Sequence, residues 1–463
     1  MFNRKPHEAF LKSIAESPSV VLGKTIDTSR KLVNVINRHR DIKKAREYWH
    51  TLGPGLTTGA ADDDPSGIAT YSQAGAGYGF NLLWLAAFTF PLMAVVQEMC
   101  ARIGLVTGQG LAANIRAYYP RWVLYLCAFL LFFANTLNIG ADLGAMSKAT
   151  QLIYPHLNFE FLVLAFALVG LALQIFTTYE KYAKYLKWLA LVLVSYIFSA
   201  LASNLDFKEL AFKAVLPTLQ FSKDQIFLIT GVLGTTISPY LFFWQTSQEI
   251  EEQILAGRTT IKSRQVETTN REIKDMRIDV WSGMFLSNLV MFFIIAACSA
   301  TLFSHGITNI TSAAQAAQAL KPIAGETAYL LFTLGIIGTG MLAVPVLAGS
   351  ASYALSEGFG WKYGLYRKLK EANAFYGVII LSTLIGLAIN FAHLDAIKVL
   401  IYTAVVNGLI APVILVLIIR LSSDKRVMGE KVNHPITSLL GWIITGLMVM
   451  AGLATIASLF NLF

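Results

Sequence analysis

Gly59-Ala60-Ala61-Asp62-Asp63-Asp64-Pro65-Ser66-Gly67 places three acids, a proline and two glycines inside a stretch that otherwise reads as a membrane-crossing helix. An acid at membrane depth costs several kcal/mol unless it meets water, a partner or a ligand. The Pro-Ser-Gly triplet directly after the acids removes a backbone donor and loosens the helix. Together these features predict a helix interrupted around a binding site.

The surrounding chain supports a membrane setting. Of 463 residues, 55% are hydrophobic and 14% charged, and the mean hydropathy is +0.56. A water-soluble domain carries nearer a quarter charged residues. Apolar runs of about 20 residues, the length that crosses a hydrocarbon core, recur throughout. They predict an all-α, polytopic membrane protein with about eleven spans, at 52–78, 82–105, 122–152, 159–178, 186–204, 226–247, 281–303, 326–354, 374–392, 396–420 and 436–458. Residues 1–50 read as a basic cytoplasmic tail without the apolar core of a signal peptide, and 51–463 as the transmembrane domain. The tail pattern admits an amphipathic surface helix over Thr28–Trp49, with a solvated segment favoured.

The formal charge of +9 reflects topology rather than nucleic-acid binding. With the N-terminus inside, all but six of the 37 Lys and Arg fall in the tail or in loops on its side. The exceptions are Lys148, within a span, and Lys208, Lys213, Lys223, Lys321 and Lys398 on the other side. This is the positive-inside distribution. It predicts a cell (inner) membrane protein with a cytoplasmic N-terminus and an external C-terminus. Cys100, Cys127 and Cys298 sit in apolar runs without a CxxC pair, as small buried hydrophobes do. The seven histidines lie in tails, loops or helix ends, which leaves none at mid-membrane.

A second interruption follows in span six, Gly231-Val-Leu-Gly-Thr-Thr-Ile-Ser-Pro-Tyr240, with two glycines, three hydroxyls and a proline. Pro65 and Pro239 therefore break spans one and six at corresponding positions. A matched pair of broken helices is the sequence pointer to an inverted-repeat transporter, here spans 1–5 and 6–10, with its site at the midplane. Span three carries Asn135, Asn138 and Asp142 as one polar stripe, facing either a neighbouring helix or an ion path, with the path favoured for Asp142. Glu98, one turn before Arg102, predicts a helix-end ion pair. Span eight is rich in small residues around Pro345 and Gly349, and span ten holds Tyr402, Thr403 and Asn407. The charged stretch 248–280 predicts a long loop on the tail side.

Gly53-Pro-Gly55, Asp64-Pro-Ser-Gly-Ile-Ala-Thr70, Gly104-Leu-Val-Thr-Gly108, Leu347-Ala-Gly349 and Asp424-Lys-Arg-Val-Met-Gly-Glu430 occur in order across nearly the whole chain. In this they resemble the NRAMP family of divalent-metal transporters, as a divergent, NRAMP-related branch. The resemblance implies a LeuT-like fold, alternating access and a divalent cation as substrate. It places the metal-binding aspartate on Asp64, the family's asparagine ligand on Gly67, its carbonyl-donating residue on Thr235, its methionine on Ser238 and its histidine on Tyr240. The two acids that the family links to proton transfer fall near Thr136 and Ile139, neither an acid, so proton coupling is doubtful.

A thioether favours transition metals, whereas carboxylate, hydroxyl and carbonyl oxygens suit Mg²⁺, Mn²⁺ or Ca²⁺. Exchanging the methionine for Ser238 thus predicts Mn- and Mg-like ions over Fe²⁺ and Zn²⁺. Gly67 and Ser238, both smaller than the residues they replace, predict a wider site that holds a partly hydrated ion. Asp62, Asp63 and Asp64 cannot all face one site, because successive helical residues point about 100° apart. Asp63 is left to line a vestibule or supply a second carboxylate, and Asp62, Asn138, Asp142, Tyr240 and Asn407 to form a second shell or path. The alternative reading is a LeuT-fold carrier for another small solute, such as an organic cation. An enzyme is disfavoured, since no His/Cys cluster, Ser/His pair or phosphate loop occurs, and no cofactor is expected. The expected partners are the cation and the lipid bilayer, with a monomer favoured.

Overall fold

The computed structural model describes residues 52–177, 194–202, 206–220, 222–321, 325, 328–392 and 395–460. The predicted tail and most of the predicted fifth span lie outside them. Every regular element among the described residues is helical, and nine stretches are long and apolar enough to cross a bilayer.

The first predicted span is two helices, α1 (Pro54–Asp62) and α2 (Pro65–Tyr78). Next come α3 (Trp84–Thr107), α4 (Leu111–Tyr118), α5 (Arg121–Ile153) and α6 (Phe159–Phe176). The described end of the fifth span is α7 (Val194–Ala202), followed by the short α8 (Phe207–Val215). Span six is again split, into α9 (Lys223–Thr236) and α10 (Pro239–Leu255). The rest are α11 (Ile261–Glu267), α12 (Asn270–Thr301), α13 (Ala313–Ala317), α14 (Ala328–Phe359), α15 (Asn373–Ile389), α16 (Ala396–Ser423), α17 (Lys425–Met428) and α18 (Pro435–Leu459). The two splits, after Asp62 and after Thr236, fall at corresponding places in an inverted repeat.

The expected long loop over 248–280 is mostly helix instead. α10 runs on to Leu255 and α12 begins at Asn270, with α11 between them. The sequence reading ends span six at residue 247, but Gln248, Glu249 and Glu251 stay buried in the α10 extension. The Glu251 carboxylate accepts from the Tyr353 hydroxyl at 2.6 Å and from the Leu365 and Tyr366 amides at 2.8 and 3.1 Å. Partnered acids of this kind continue a helix into protein rather than solvent.

Close helix packing rests on small residues, as expected in lipid. A Cβ on Gly59 of α1 would lie 2.3 Å from the Gly283 carbonyl oxygen of α12, and one on Gly283 only 2.1 Å from that of Gly55. On α14, Gly349 lies against Trp244, where a Cβ would come within 2.8 Å of the indole, and Ser350 donates to the Tyr240 carbonyl at 2.7 Å. The expected Glu98–Arg102 pair is present at 3.7 Å and is reinforced from α12, where Arg277 and Trp281 both donate to Glu98. Arg102 also donates to Asn433, which ties in the α17–α18 turn. The three cysteines are free and buried.

The first turn of α1 is anchored across the bundle. Asp279 of α12 accepts from the amides of Gly53, Gly55 and Leu56 at 2.8, 2.6 and 3.1 Å. A carboxylate at a helix N-terminus satisfies amides that have no intrahelical partner and complements the helix dipole.

Candidate functional site

The site forms where both broken helices end. Proline has no amide hydrogen and its ring displaces the carbonyl four residues earlier, so Pro65 releases the Ala61 carbonyl and Pro239 that of Thr235. The Tyr240 hydroxyl donates to Ala61 O at 2.7 Å, and the Ser238 hydroxyl to Thr235 O and Gly234 O, both at 2.7 Å. Each break is therefore stabilised by residues of the second one.

Asp64 is the N-cap of α2, with extended backbone at φ −67° and ψ 172°. Its Oδ1 accepts from the Gly67 amide and the Ser66 hydroxyl, both at 2.7 Å, and its Oδ2 accepts from Asn138 Nδ2 at 2.7 Å. A carboxylate offers about four acceptor positions, so three bonds hold the group in place and leave room for a cation. The Ser66 hydroxyl is also 3.4 Å from that of Thr235, which brings the second break beside the first.

The three neighbouring acids diverge, as helical geometry requires. Asp62 closes α1 and accepts from Ser287 of α12 at 2.7 Å. Asp64 faces α5 through Asn138. Asp63, between them, is fully buried with no hydrogen-bond partner for either oxygen among the described residues. Asp142, one turn beyond Asn138 on α5, is likewise buried with both oxygens unpartnered, and lies within electrostatic reach of Asp64. Asn135 turns instead to a neighbour, donating to Leu347 O at 2.8 Å. Ile139 packs against Gly386 of α15 and Thr136 bonds its own helix at Phe132 O. The acid that α5 offers near the site is thus Asp142. Asn407 of α16 is buried with its Oδ1 unpartnered, and no bond joins it to Asp64 among the described residues.

One expectation needs correction. The space beside Gly67 is not open: a Cβ there would lie 3.2 Å from the Asp62 carbonyl and the Thr235 hydroxyl and 3.3 Å from the Tyr71 ring. The Ser238 hydroxyl turns its proton to the carbonyls it caps and keeps its lone pairs for a cation. Sequence reading also missed Ser287 and Asp279, which act across the bundle and leave no local signal; Ser66, two residues after an N-cap aspartate, was legible as an Asx-type partner.

A cavity of about 570 Å³ reaches this region from the end of the bundle opposite the basic loops. Its lining includes Pro65 and Ile68, just after Asp64, Ala145 and Lys148 of α5, and Asp395, the N-cap of α16. Among the described residues no three His, Cys, Asp or Glu side chains converge as a ligand cluster. The donors on offer are one positioned carboxylate with hydroxyl, amide and carbonyl oxygens.

Residues 55–458 match the family described as "Nramp: Natural resistance-associated macrophage protein-like". The chain belongs to the Nramp family. That makes it a membrane transporter and not an enzyme. It is 26% identical over 424 residues to the divalent metal cation transporter MntH of Aeromonas hydrophila, covering 88% of this chain and 95% of that one. The MntH of Yersinia pestis is also 26% identical, over 92% of this chain and 97% of its own. Among solved structures, the Nramp chain is similar in fold to the Eremococcus coleocola manganese transporter in complex with an aromatic bis-isothiourea substituted compound, with a TM-score of 0.69 at 17% identity, covering 91% and 88% of the two chains. It is also similar to Mhp1, a nucleobase-cation-symport-1 family transporter in a closed conformation, with a TM-score of 0.55 at 14% identity over 89% and 94%.

Proposed function

We propose that this Nramp protein is a secondary-active carrier of divalent metal cations that works by alternating access, with Mn²⁺- and Mg²⁺-like hard ions favoured over Fe²⁺ and Zn²⁺. The observation that carries the reading is Asp64, a buried carboxylate held by three hydrogen bonds where two broken helices meet. Thr235 and the lone pairs of Ser238 supply neutral oxygens from the second break, and Gly67 brings its amide to Asp64 in place of a ligand side chain. An all-oxygen set without thioether or imidazole suits hard cations.

Asp142 and Asn138 form the cavity-side approach to Asp64, and Asp62 and Asp63 its continuation toward the basic loops. The protein sits in the cell (inner) membrane as a monomer, with its basic N-terminal tail in the cytoplasm and its C-terminus outside, so the 570 Å³ cavity is the external entrance. With Thr136 and Ile139 standing where the family's proton-transfer acids fall, proton coupling through those two positions is lost. Uptake into proteoliposomes with and without a pH gradient tests this, and acidification of the lumen in step with metal uptake would refute it.

The site assignment is tested by equilibrium binding of Mn²⁺ and Mg²⁺ to purified protein. Wild type is expected to bind and Asp64→Ala to lose binding. Binding that survives Asp64→Ala would sink the assignment. Wild-type protein that binds no divalent ion would point to a carrier of another small solute, such as an organic cation.

A further inference from the structure

The entrance cavity contains a charge that a cation carrier would not be expected to place there. Among the described residues, Asp395 and Lys148 are its only ionisable lining residues. Asp395 is turned toward its own helix, where its Oδ1 accepts from the amides of Ile397 and Lys398 at 3.0 and 3.4 Å. These amides hold Asp395 in place without cancelling its charge, and Lys148 keeps its own charge as well. Its ammonium lies 4.7 Å from the centre of the Phe159 ring and donates to Gln151 Oε1 at 3.4 Å. It takes part in none of the ion pairs among the described residues. Phe159 and Gln151 are neutral, so they hold the ammonium without cancelling its charge.

Lys148 also has a defined place along the approach. It lies on α5 ten residues beyond Asn138, about 15 Å along the helix axis, with Ala145 lining the same cavity between them. An ion that enters through this cavity passes Lys148 before it meets Asp142 or Asp64.

We propose that Lys148 sets the apparent affinity of the entrance: a fixed positive charge that lowers the local concentration of all divalent cations alike and suits the carrier to an ion that is abundant rather than scarce. The inference rests on the transport reading above. A unit charge about 8 Å from a divalent ion in water-like surroundings lowers its local concentration roughly sixfold. The effect on a monovalent ion is half as large in free energy. An apparent affinity weakened in this way suits an ion present at millimolar levels, as Mg²⁺ is, and handicaps uptake of a trace metal.

The test uses full-length protein in proteoliposomes at low ionic strength. Lys148→Gln is expected to lower the half-saturating Mn²⁺ and Mg²⁺ concentrations about three- to tenfold with an unchanged maximal rate. Lys148→Glu should lower them further, and Lys148→Arg should match wild type. The differences should collapse in concentrated salt, where screening shortens the reach of the charge to about 3 Å at 1 M. Unchanged half-saturation in both Gln and Glu variants would overturn the proposal, as would a change that persists in high salt, which would mark a packing role beside Phe159. A second readout needs no transport: Ala314→Cys, on the cavity wall, is labelled with anionic and cationic thiol reagents. The anionic-to-cationic rate ratio is expected to fall severalfold on adding Lys148→Gln. If wild type carries no divalent ion but this ratio falls, the transport reading fails and the entrance charge stands; an unchanged ratio overturns the Lys148 inference by itself.

Discussion

The Tyr240 hydroxyl donates to the Ala61 carbonyl oxygen at 2.7 Å, so the second broken helix satisfies the backbone group that the first break exposes. Pro65 is the cause of that exposure, since it cannot donate to Ala61. The residue that resemblance aligns with a family histidine thus serves here as a strut between α1 and α10. Tyr240→Phe keeps the ring and removes only the donor, which leaves a buried carbonyl unpaired. Thermal denaturation of the purified protein is expected to show a loss of about 1–3 kcal/mol, with divalent-ion binding at Asp64 reduced by less than the complete loss expected for Asp64→Ala.

Asp279 performs the matching task at the other end of α1, where its carboxylate accepts from three amides. Asp279→Ala orphans all three and is expected to cost on the order of 3 kcal/mol. Asp279→Asn keeps acceptor capacity without charge and should lose less. Limited proteolysis near Leu52 and melting in detergent measure both effects. Equal stability of the Ala variant and wild type would show that the anchor is dispensable.

The backbone contact between α1 and α12 predicts a sharp contrast between two glycines. Gly59→Ala would place its Cβ 2.3 Å from the Gly283 carbonyl oxygen, whereas a Cβ on Gly446 of α18 meets nothing within 4 Å. Gly59→Ala must push two backbones apart and is expected to cost about 3 kcal/mol or more. Gly446→Ala should be neutral or stabilising by about 0.5–1 kcal/mol. Yield of folded, monodisperse protein and its melting temperature compare the two directly.

Ser238→Met restores the thioether that resemblance places at this position. Soft ions gain from such a ligand and hard ions do not, so Cd²⁺ binding is expected to tighten about tenfold, or ~1.4 kcal/mol, with Mg²⁺ binding unchanged or weaker. The exchange also removes the hydroxyl that caps Thr235 O and should cost about 1 kcal/mol of stability. Titration calorimetry with both ions decides it, and an unaltered Cd²⁺ affinity would place Ser238 outside the coordination sphere.

Much of the fold was legible in local chemistry. Apolar runs of bilayer length and the prolines at 65 and 239 each act through nearby residues or through the membrane, so a linear reading captures them. The same holds for the Glu98–Arg102 pair, one helical turn apart. The extent of the span-six helix was not legible, because Glu249 and Glu251 read as solvent-exposed until their burial and, for Glu251, its bonds from Tyr353, Leu365 and Tyr366 are known.

The site divides along the same line. The sequence by itself determined that an acid stands beside a helix break and that a second break matches it, because proline and charge have fixed costs in a membrane. Only the tertiary structure decided how Asp62, Asp63 and Asp64 part, toward Ser287, toward no partner and toward Asn138. It alone showed that the space beside Gly67 is filled, and that Lys148 lines the same cavity as Pro65. Those outcomes depend on which helices pack together, over separations of 74 residues for Asp64 and Asn138 and 225 for Asp62 and Ser287. A substitution changes the space at a site only after its neighbours have moved, and residue size alone carries no information about that movement.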